Sequence, residues 1–160
     1  MAGWLNLGQI LKVNAKKFPQ TVALKECDRG ITYPELNRRV NKLAHSLLAL
    51  GLKKGDKLAV LLENSIEIIE AFLAAAKTGI IIVPINFRLI SPDVEYIVGN
   101  ADVKAFIVHD EFVGTVDPIR PRLPLIPAAN FIVVGKPAPG YRTYDDLIAP
   151  AAETEPACEV

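Results

Sequence analysis

The chain has 160 residues, of which 51% are hydrophobic and 22% charged, a composition that suits one folded domain and argues against disorder. The formal net charge is zero, so the sequence lacks the basic excess of a nucleic-acid-binding protein. No uncharged apolar run approaches the roughly 18 residues of a membrane span, and the N-terminus lacks the basic start of a signal peptide. Cys27 and Cys158 have no metal-like spacing, which makes a reducing, cytoplasmic setting the simplest interpretation.

The beginning of the sequence predicts a helix followed by a hairpin. Asn6 and Gln9 form a capping-box pattern at the helix start, and Pro19 marks the helix end. The apolar positions of this helix are Leu7, Ile10, Leu11 and Phe18. Two short strands, Thr21–Lys25 and Gly30–Thr32, flank an Asp-Arg-Gly turn and together predict a β-hairpin.

Two further helices are predicted with clear start patterns. Thr32 as N-cap and Glu35 at the third helical position begin one helix, which Gly51 ends. After a strand at Lys57–Leu62, Asn64 with Glu67 is expected to cap the next helix. The residues of that helix expected to be buried are Ile66, Ile69, Phe72, Leu73 and Ala76.

The stretch Ala74–Arg88 organises the middle of the chain. Gly79 occupies the position that follows a helix and needs a positive φ. Ile80–Val83 is a branched apolar run, as expected for a strand covered on both faces, and Pro84 should end it because proline donates no ladder hydrogen bond. Arg88 then emerges at the carboxyl end of the strand, where open α/β sheets bind their ligands.

The remaining sequence predicts one more helix from Ser91 to about Gly99 and one helical turn at Tyr144–Ile148. Between them, four prolines in the stretch 116–127 leave room only for short helices. The last predicted strands are Ala105–Val108 and Phe131–Val134.

Alternation of apolar strands with capped helices predicts an α/β fold: a layered, mostly parallel, doubly wound sheet flanked by helices, with an N-terminal hairpin. Residues 1–148 are predicted to form this unit. Residues 149–160 are rich in Ala, Glu and Pro and are predicted to be a linker with no element that ties it down.

Few residues carry a pattern typical of catalysis. The ten glycines are scattered singly, without a G-x-G or G-K-[ST] pattern, so no loop is predicted to cradle phosphates. His45 and His109 are expected at the surface, because no Ser or Cys nucleophile accompanies them. Glu67 and Glu70 are expected on a capped, solvated helix face, and Lys77 is expected to complement the helix C-terminus.

Arg88 is the one candidate binding residue. It follows the predicted central strand and precedes a helix start, and a guanidinium fork in such a place suits phosphate. The alternative, an ordinary surface arginine, stays open from the sequence alone.

From about Phe18 to Val134 the sequence resembles the adenylate-forming superfamily of acyl-CoA synthetases, luciferases and peptide-synthetase adenylation domains. The Pro-Ile-Asn-Phe-Arg string is most similar to fatty-acyl and aryl-acyl CoA synthetases, because peptide-synthetase domains usually have P-x-D there. The matching residues are Thr32-Tyr33-x-Glu35-Leu36, Gly55-Asp56, Asn64-Ser65, Ala76-Lys77-x-Gly79 and Pro84-Ile85-Asn86-Phe87-Arg88-Leu89.

The resemblance implies the N-terminal piece of an enzyme that activates a fatty or aromatic carboxylic acid with ATP and Mg²⁺ and transfers the acyl group to CoA. The family's phosphate loop, adenylate-binding residues and catalytic lysine lie further along than residue 160, so the piece itself is expected to be inactive and to bind no cofactor. Arg88 matches a family arginine that contacts the CoA phosphates. An uncovered apolar surface would also permit homo-oligomers.

Two other classes remain open at this point. One is a free-standing, non-catalytic α/β module that binds a partner protein, against which the unanchored linker weighs. The other is a small nucleotide-binding domain complete in itself, against which the missing glycine loop weighs.

Overall fold

The computed structural model describes residues 7–158, and within them the chain forms six α-helices and seven strands. The helices are α1 (Leu7–Lys17), α2 (Tyr33–Ala49), α3 (Ile66–Thr78), α4 (Ser91–Asn100), α5 (Val113–Val116) and α6 (Tyr144–Ile148). The strands are β1 (Val22–Glu26), β2 (Arg29–Thr32), β3 (Lys57–Leu61), β4 (Ile81–Pro84), β5 (Val103–His109), β6 (Phe131–Val134) and β7 (Arg142–Thr143). Short 3-10 turns lie at Asp110–Phe112, Arg120–Arg122 and Ala128–Asn130.

The predicted α/β fold is confirmed. Five strands form a parallel sheet in the order β4-β3-β5-β6-β7, while β1 and β2 pair separately as the antiparallel hairpin. Alternate residues of β3 enter two cores: Leu58 and Val60 pack with α2, α3 and α6, whereas Ala59 and Leu61 pack with α4 and α5. Helices therefore cover both faces of the sheet, which is the doubly wound arrangement.

Three of the local patterns that set element ends are confirmed, and a fourth, the predicted Asn64 cap, is wrong by one residue. Thr32 caps α2, its hydroxyl accepting a hydrogen bond from the Glu35 N–H at 3.4 Å. Gly79 ends α3 in the left-handed region with φ of 73°, which an L side chain rarely adopts. The α3 N-cap is Ser65, one residue after the predicted Asn64, and β4 ends at Pro84 as expected.

The prediction that the Ile80–Val83 strand is covered on both faces is wrong. β4 lies at the edge of the sheet, pairs with β3 alone, and leaves Ile81 49% exposed. A branched apolar run predicts that a strand forms, but long-range pairing decides where that strand lies in the sheet.

The helix faces of α1 and α3 also differ from the predictions. In α3, Ile69 and Phe72 are exposed whereas Glu67 and Glu70 are buried, because basic residues of neighbouring elements lie opposite the two carboxylates. In α1, Leu11 is buried but Leu7 and Ile10 are exposed. The predicted Asn6 cap lies outside the described residues.

Gly8 of α1 lies in close contact with the backbone of α3. We expect the substitution Gly8→Ala to disrupt the packing of these two helices. Alanine normally stabilises a helix relative to glycine by about 1 kcal/mol. Here the added Cβ would lie 2.6 Å from the Ala76 backbone oxygen, which cannot give way as a flexible side chain can. The urea midpoint of Gly8→Ala should fall below that of the wild type, and Gly114→Ala, where the added Cβ meets nothing within 4 Å, serves as the control. Equal midpoints for the two variants would contradict this packing.

Candidate functional site

The carboxyl ends of β4, β3 and β5 form the edge at which a ligand site is expected. β3 is followed in the chain by β4 on one side and then by β5 on the other, so the winding direction reverses at β3. Open α/β sheets bind ligands in the crevice at such a reversal. The structure places Arg88 four residues beyond the end of β4, and His109 at the end of β5.

Arg88 projects from an ordered turn at this edge. Its backbone N–H donates a hydrogen bond to the Asn86 side-chain oxygen at 3.0 Å, which fixes the exit of the chain from β4. Its guanidinium lies 5.7 Å from the Phe87 ring centroid, and the Phe87 ring stacks on Phe112 at 5.9 Å. The Phe87–Phe112 pair thus links the segment after β4 to the segment after β5, and the Arg88 guanidinium lies over the Phe87 ring.

The Arg88 guanidinium is free to take an anionic ligand. Within residues 7–158 it has no acidic partner within 4.0 Å, and the side chain is exposed. The guanidinium is planar, and its N–H donors can contact two oxygens of a phosphate at once. The phosphate contact of Arg88 stays a prediction.

A polar cavity of about 320 Å³ lies near the ends of β5 and β6, and Arg88 is not among its lining residues. Its lining mixes both charges, with Arg29 beside the carboxylates of Glu26 and Glu67. Arg29 already donates a hydrogen bond to Glu67 at 2.8 Å. The Arg29 guanidinium in this cavity is therefore already paired within the protein.

A buried carboxylate, Glu70 of α3, links three helices. Arg39 of α2 donates two hydrogen bonds to it, and the Tyr144 hydroxyl of α6 donates a third at 2.6 Å. The Glu70 side chain is fully buried and Glu67 lies close by. Burial and the Glu70 charge raise the pKa of Tyr144 well above its usual value, which keeps this phenol a hydrogen-bond donor.

A second buried charge, Lys77 of α3, ties down the segment predicted to be a linker. Its ammonium donates hydrogen bonds of 2.7 Å each to the side-chain oxygens of Asn37, Asn41 and Glu155. The amides of Asn37 and Asn41 donate in turn to Glu155 Oε1 at 2.8 Å and the Glu153 carbonyl at 2.8 Å. Burial lowers the pKa of Lys77, even though the hydrogen bond and charge of Glu155 act in the opposite direction.

Residues 149–155, which we call the strap, therefore lie along α2 through polar contacts. His45 Nε2 lies 2.9 Å from the Thr154 carbonyl oxygen, and Lys42 donates to the Ala149 carbonyl at 3.2 Å. The boundary between residues 148 and 149 stays a prediction, but the described part of this segment is attached to the helices rather than free.

Sequence reasoning missed both buried charge clusters. A usable pattern was present: Glu67, Glu70, Ala74 and Lys77 recur at helical spacing and so share one face of α3. The sequence predicts a solvated face for Glu67 and Glu70 and a helix-end role for Lys77, whereas Arg39 and Asn41 of α2 supply buried partners for Glu70 and Lys77. No buried side-chain nitrogen or oxygen in the described part of the chain lacks a hydrogen-bond partner.

The other candidates behave as structural residues. His109 Nδ1 lies 3.1 Å from an Asp110 carboxylate oxygen, with no nucleophile pattern around it, and Cys27 and Cys158 are free thiols. Among residues 7–158 there is no group of three His, Cys, Asp or Glu that could hold a metal ion. No helix in that range is long and apolar enough to cross a membrane.

Comparison with known proteins agrees with this architecture. A 3-oxocholest-4-en-26-oate–CoA ligase from Rhodococcus rhodochrous is 33% identical over 122 residues, covering 76% of this chain and 22% of that protein. The long-chain-fatty-acid–CoA ligase FadD13 from Mycobacterium tuberculosis is 38% identical over 117 residues, covering 72% of this chain and 23% of that protein. The solved structure of the anthranilate CoA ligase AuaEII in complex with anthranoyl-AMP superposes with a TM-score of 0.89 at 30% identity, covering 96% of this chain and 30% of that one.

The chain thus spans less than a quarter of the length of these two curated relatives. The family model described as "AMP-binding enzyme" matches residues 11–154, which is most of the sequence. By that match, the chain belongs to the AMP-binding enzyme family.

Proposed function

We propose that the chain is the N-terminal part of an ATP-dependent acyl-CoA synthetase. The parent enzyme joins a carboxylic acid to AMP with release of pyrophosphate, and then transfers the acyl group from the acyl-adenylate to the thiol of CoA. Fatty and aromatic acids are the proposed substrates, Mg²⁺ accompanies ATP, and the cytoplasm is the proposed location. The match of residues 11–154 to the AMP-binding enzyme family carries the proposal.

The names of the similar proteins support the reaction class. The two curated relatives are acid–CoA ligases for a steroid carboxylate and for long-chain fatty acids, and the solved relative is an anthranilate CoA ligase. All three named substrates are carboxylic acids, and all three enzymes use the same acceptor. We propose the same acceptor for the parent of this chain.

The proposed part played by this chain is positioning and phosphate contact rather than bond-making. Arg88, exposed and without an acidic partner in the described chain, is proposed to bind the phosphates of CoA at the carboxyl edge of the sheet. Because the sequence has no glycine-rich phosphate loop, we propose that the ATP site of the parent lies after residue 160 and that residues 149–160 lead to it. The 160 residues alone are accordingly proposed to be inactive and to bind no cofactor.

Reading the gene beyond codon 160 tests the proposal directly. An open frame encoding a Ser/Thr/Gly-rich loop with a lysine shortly after codon 160 is the expected result. A stop codon at that point would overturn the proposal and favour the alternative, a free-standing interaction module without catalytic activity.

Arg88→Ala in the full-length enzyme should raise the KM for CoA by about tenfold or more. A charge-assisted hydrogen bond is worth about 1.5–3 kcal/mol when well formed, and about 1.4 kcal/mol corresponds to a factor of ten. Pyrophosphate exchange measured without CoA should barely change, because adenylation precedes CoA binding. Arg88→Lys should recover part of the loss, since the charge stays and the planar fork is lost.

Arg38→Ala provides the matched control, because Arg38 is also an exposed arginine but lies on α2 rather than in the segment between β4 and α4 that carries Arg88. Its KM for CoA should equal that of the wild type. An Arg88→Ala enzyme that loses adenylation and thioester formation equally would show that Arg88 supports the fold and does not bind CoA.

A further inference from the structure

A small apolar cavity lies at the amino edge of the sheet, where β5 begins, opposite the edge that carries Arg88. Its volume is about 160 Å³, and it is bounded by the C-terminal part of α4, the first residue of β5 and the segment 122–126 before β6. Gly99 and Leu125, which also line the cavity, are exposed, so a small molecule can reach it from solvent. The buried residues of its lining are Val98, Val103, Leu123 and Ile126.

Both sides of the cavity are held in place by the chain itself. On the side before β6, three prolines in the segment 120–127 fix their own φ angles, and the Ile126 N–H donates a hydrogen bond to the Leu123 carbonyl at 3.1 Å. On the side of α4, the Asp102 N–H donates to the Gly99 carbonyl at 3.2 Å. A ligand would therefore enter a cavity that needs little ordering, which favours binding.

The charge at the cavity is already paired. Of the described residues that line it, Arg122 alone has a polar side chain. The Arg122 Nε and Nη2 atoms donate hydrogen bonds of 2.7 Å each to the two carboxylate oxygens of Glu95. A charged ligand would lose hydration here without gaining a free partner, and a water molecule needs two to four polar partners to occupy a cavity. The lining therefore favours a neutral, apolar occupant.

We propose that this cavity binds a neutral, apolar molecule about the size of a benzene ring. The volume of about 160 Å³ sets the size, because apolar cavities of roughly 150 Å³ stay dry and bind benzene or xenon. Contact with the aliphatic lining removes such a ring from water, and the close packing adds dispersion attraction. A carboxylate on the same ring should weaken binding, because the Arg122 guanidinium already contacts Glu95.

Benzene tests the proposal on the 160-residue chain by methyl NMR. Added benzene should shift the methyl signals of the four buried lining residues. The signals of Leu43 and Leu47, which are fully buried in the core on the other face of the sheet, should not move. Benzoate at the same concentration should shift the lining signals much less. The urea midpoint should rise with benzene, because a ligand that binds only the folded state stabilises it.

Two variants that fill the cavity make the test specific. Val98→Leu and Val103→Leu each add one methylene group to the lining, and each should weaken benzene binding by at least about fourfold, the factor that one buried methylene corresponds to. Their urea midpoints without benzene should be at or above that of the wild type, because the added group occupies empty space. Val22→Leu, the same change at an exposed position of β1, is the matched control and should bind benzene like the wild type.

Several results would each overturn the proposal. They are the absence of any methyl shift in water nearly saturated with benzene, shifts at Leu43 and Leu47 as large as those in the lining, and binding of benzoate as tight as that of benzene. Wild-type affinity for benzene in both filled variants would also overturn it, because the ring would then lie somewhere other than this cavity.

Discussion

Arg39→Met should lower the free energy of unfolding by about 3–5 kcal/mol, because it leaves the fully buried Glu70 carboxylate without its counter-charge. The Tyr144 hydroxyl would still donate one hydrogen bond, but the nearby Glu67 carboxylate adds a second negative charge. Methionine keeps the apolar stem of the arginine, so the loss reports the charge rather than the packing. Urea unfolding of the 160-residue chain measures it.

A matched control and a double variant make this prediction specific. Arg38→Met changes the neighbouring arginine, which is exposed, and should alter stability by less than about 0.5 kcal/mol. Arg39→Met/Glu70→Leu removes both charges and should be clearly more stable than Arg39→Met alone, since no unpaired charge remains. The loss of unfolding free energy in the double variant should be smaller than the sum of the losses in Arg39→Met and Glu70→Leu. If it equals that sum, the Arg39–Glu70 ion pair does not stabilise the contact between these helices.

Lys77→Met should cost about 2–4 kcal/mol and release the strap from α2. The ammonium donates to the side-chain oxygens of Asn37, Asn41 and Glu155 at once. Its removal leaves the two amide oxygens without this donor and the Glu155 carboxylate without its counter-charge. Hydrogen exchange of residues 149–158 should accelerate strongly in this variant. Lys42→Met, which removes a more exposed lysine that also contacts the strap, should cost no more than about 1 kcal/mol.

The strap should also loosen in acid. Burial alone would raise the pKa of Glu155, but hydrogen bonds from Lys77 and Asn37 outweigh it and lower the pKa below 4.5. A carboxylate with a lowered folded-state pKa contributes its full stabilisation above its unfolded-state pKa and loses it as the pH falls through the folded-state pKa. Exchange of the strap should therefore increase below about pH 4.5 in the wild type and change less in Glu155→Gln. An identical acid response in both would contradict the role of this carboxylate.

The features that the sequence predicts well are local ones. Thr32, Gly79 and Pro84 act through their own backbone and nearest neighbours, so the helix cap, the helix end and the strand end were all placed correctly. The position of Arg88 just after the carboxyl end of β4 is also a local feature, because Pro84 ends the strand four residues earlier. The two-residue strand β7 was missed, because a pair such as Arg142 and Thr143 is too short to show a pattern.

Features that depend on distant partners were not predictable in the same way. The edge position of β4 is decided by which strands pair with β3, and nothing within Ile80–Val83 encodes that choice. In α3, apolar residues occur around most of the helix, so periodicity could not identify the buried face, which Arg39 of α2 fixes. The Ala, Glu and Pro content of residues 149–160 predicts a linker, whereas contacts to the Glu155 side chain and the Glu153 carbonyl attach the strap to α2.

The attachment of the strap fixes an order of events during protein synthesis. Lys77 is made 78 residues before Glu155, and Asn37 is made 118 residues before it. At about 5–20 residues per second, a ribosome needs about 4–16 s to pass from Lys77 to Glu155. During that interval the Lys77 ammonium and the amides of Asn37 and Asn41 lack the carboxylate that contacts them in the folded chain. We therefore expect the strap to attach to α2 after α2 and α3 have been synthesised.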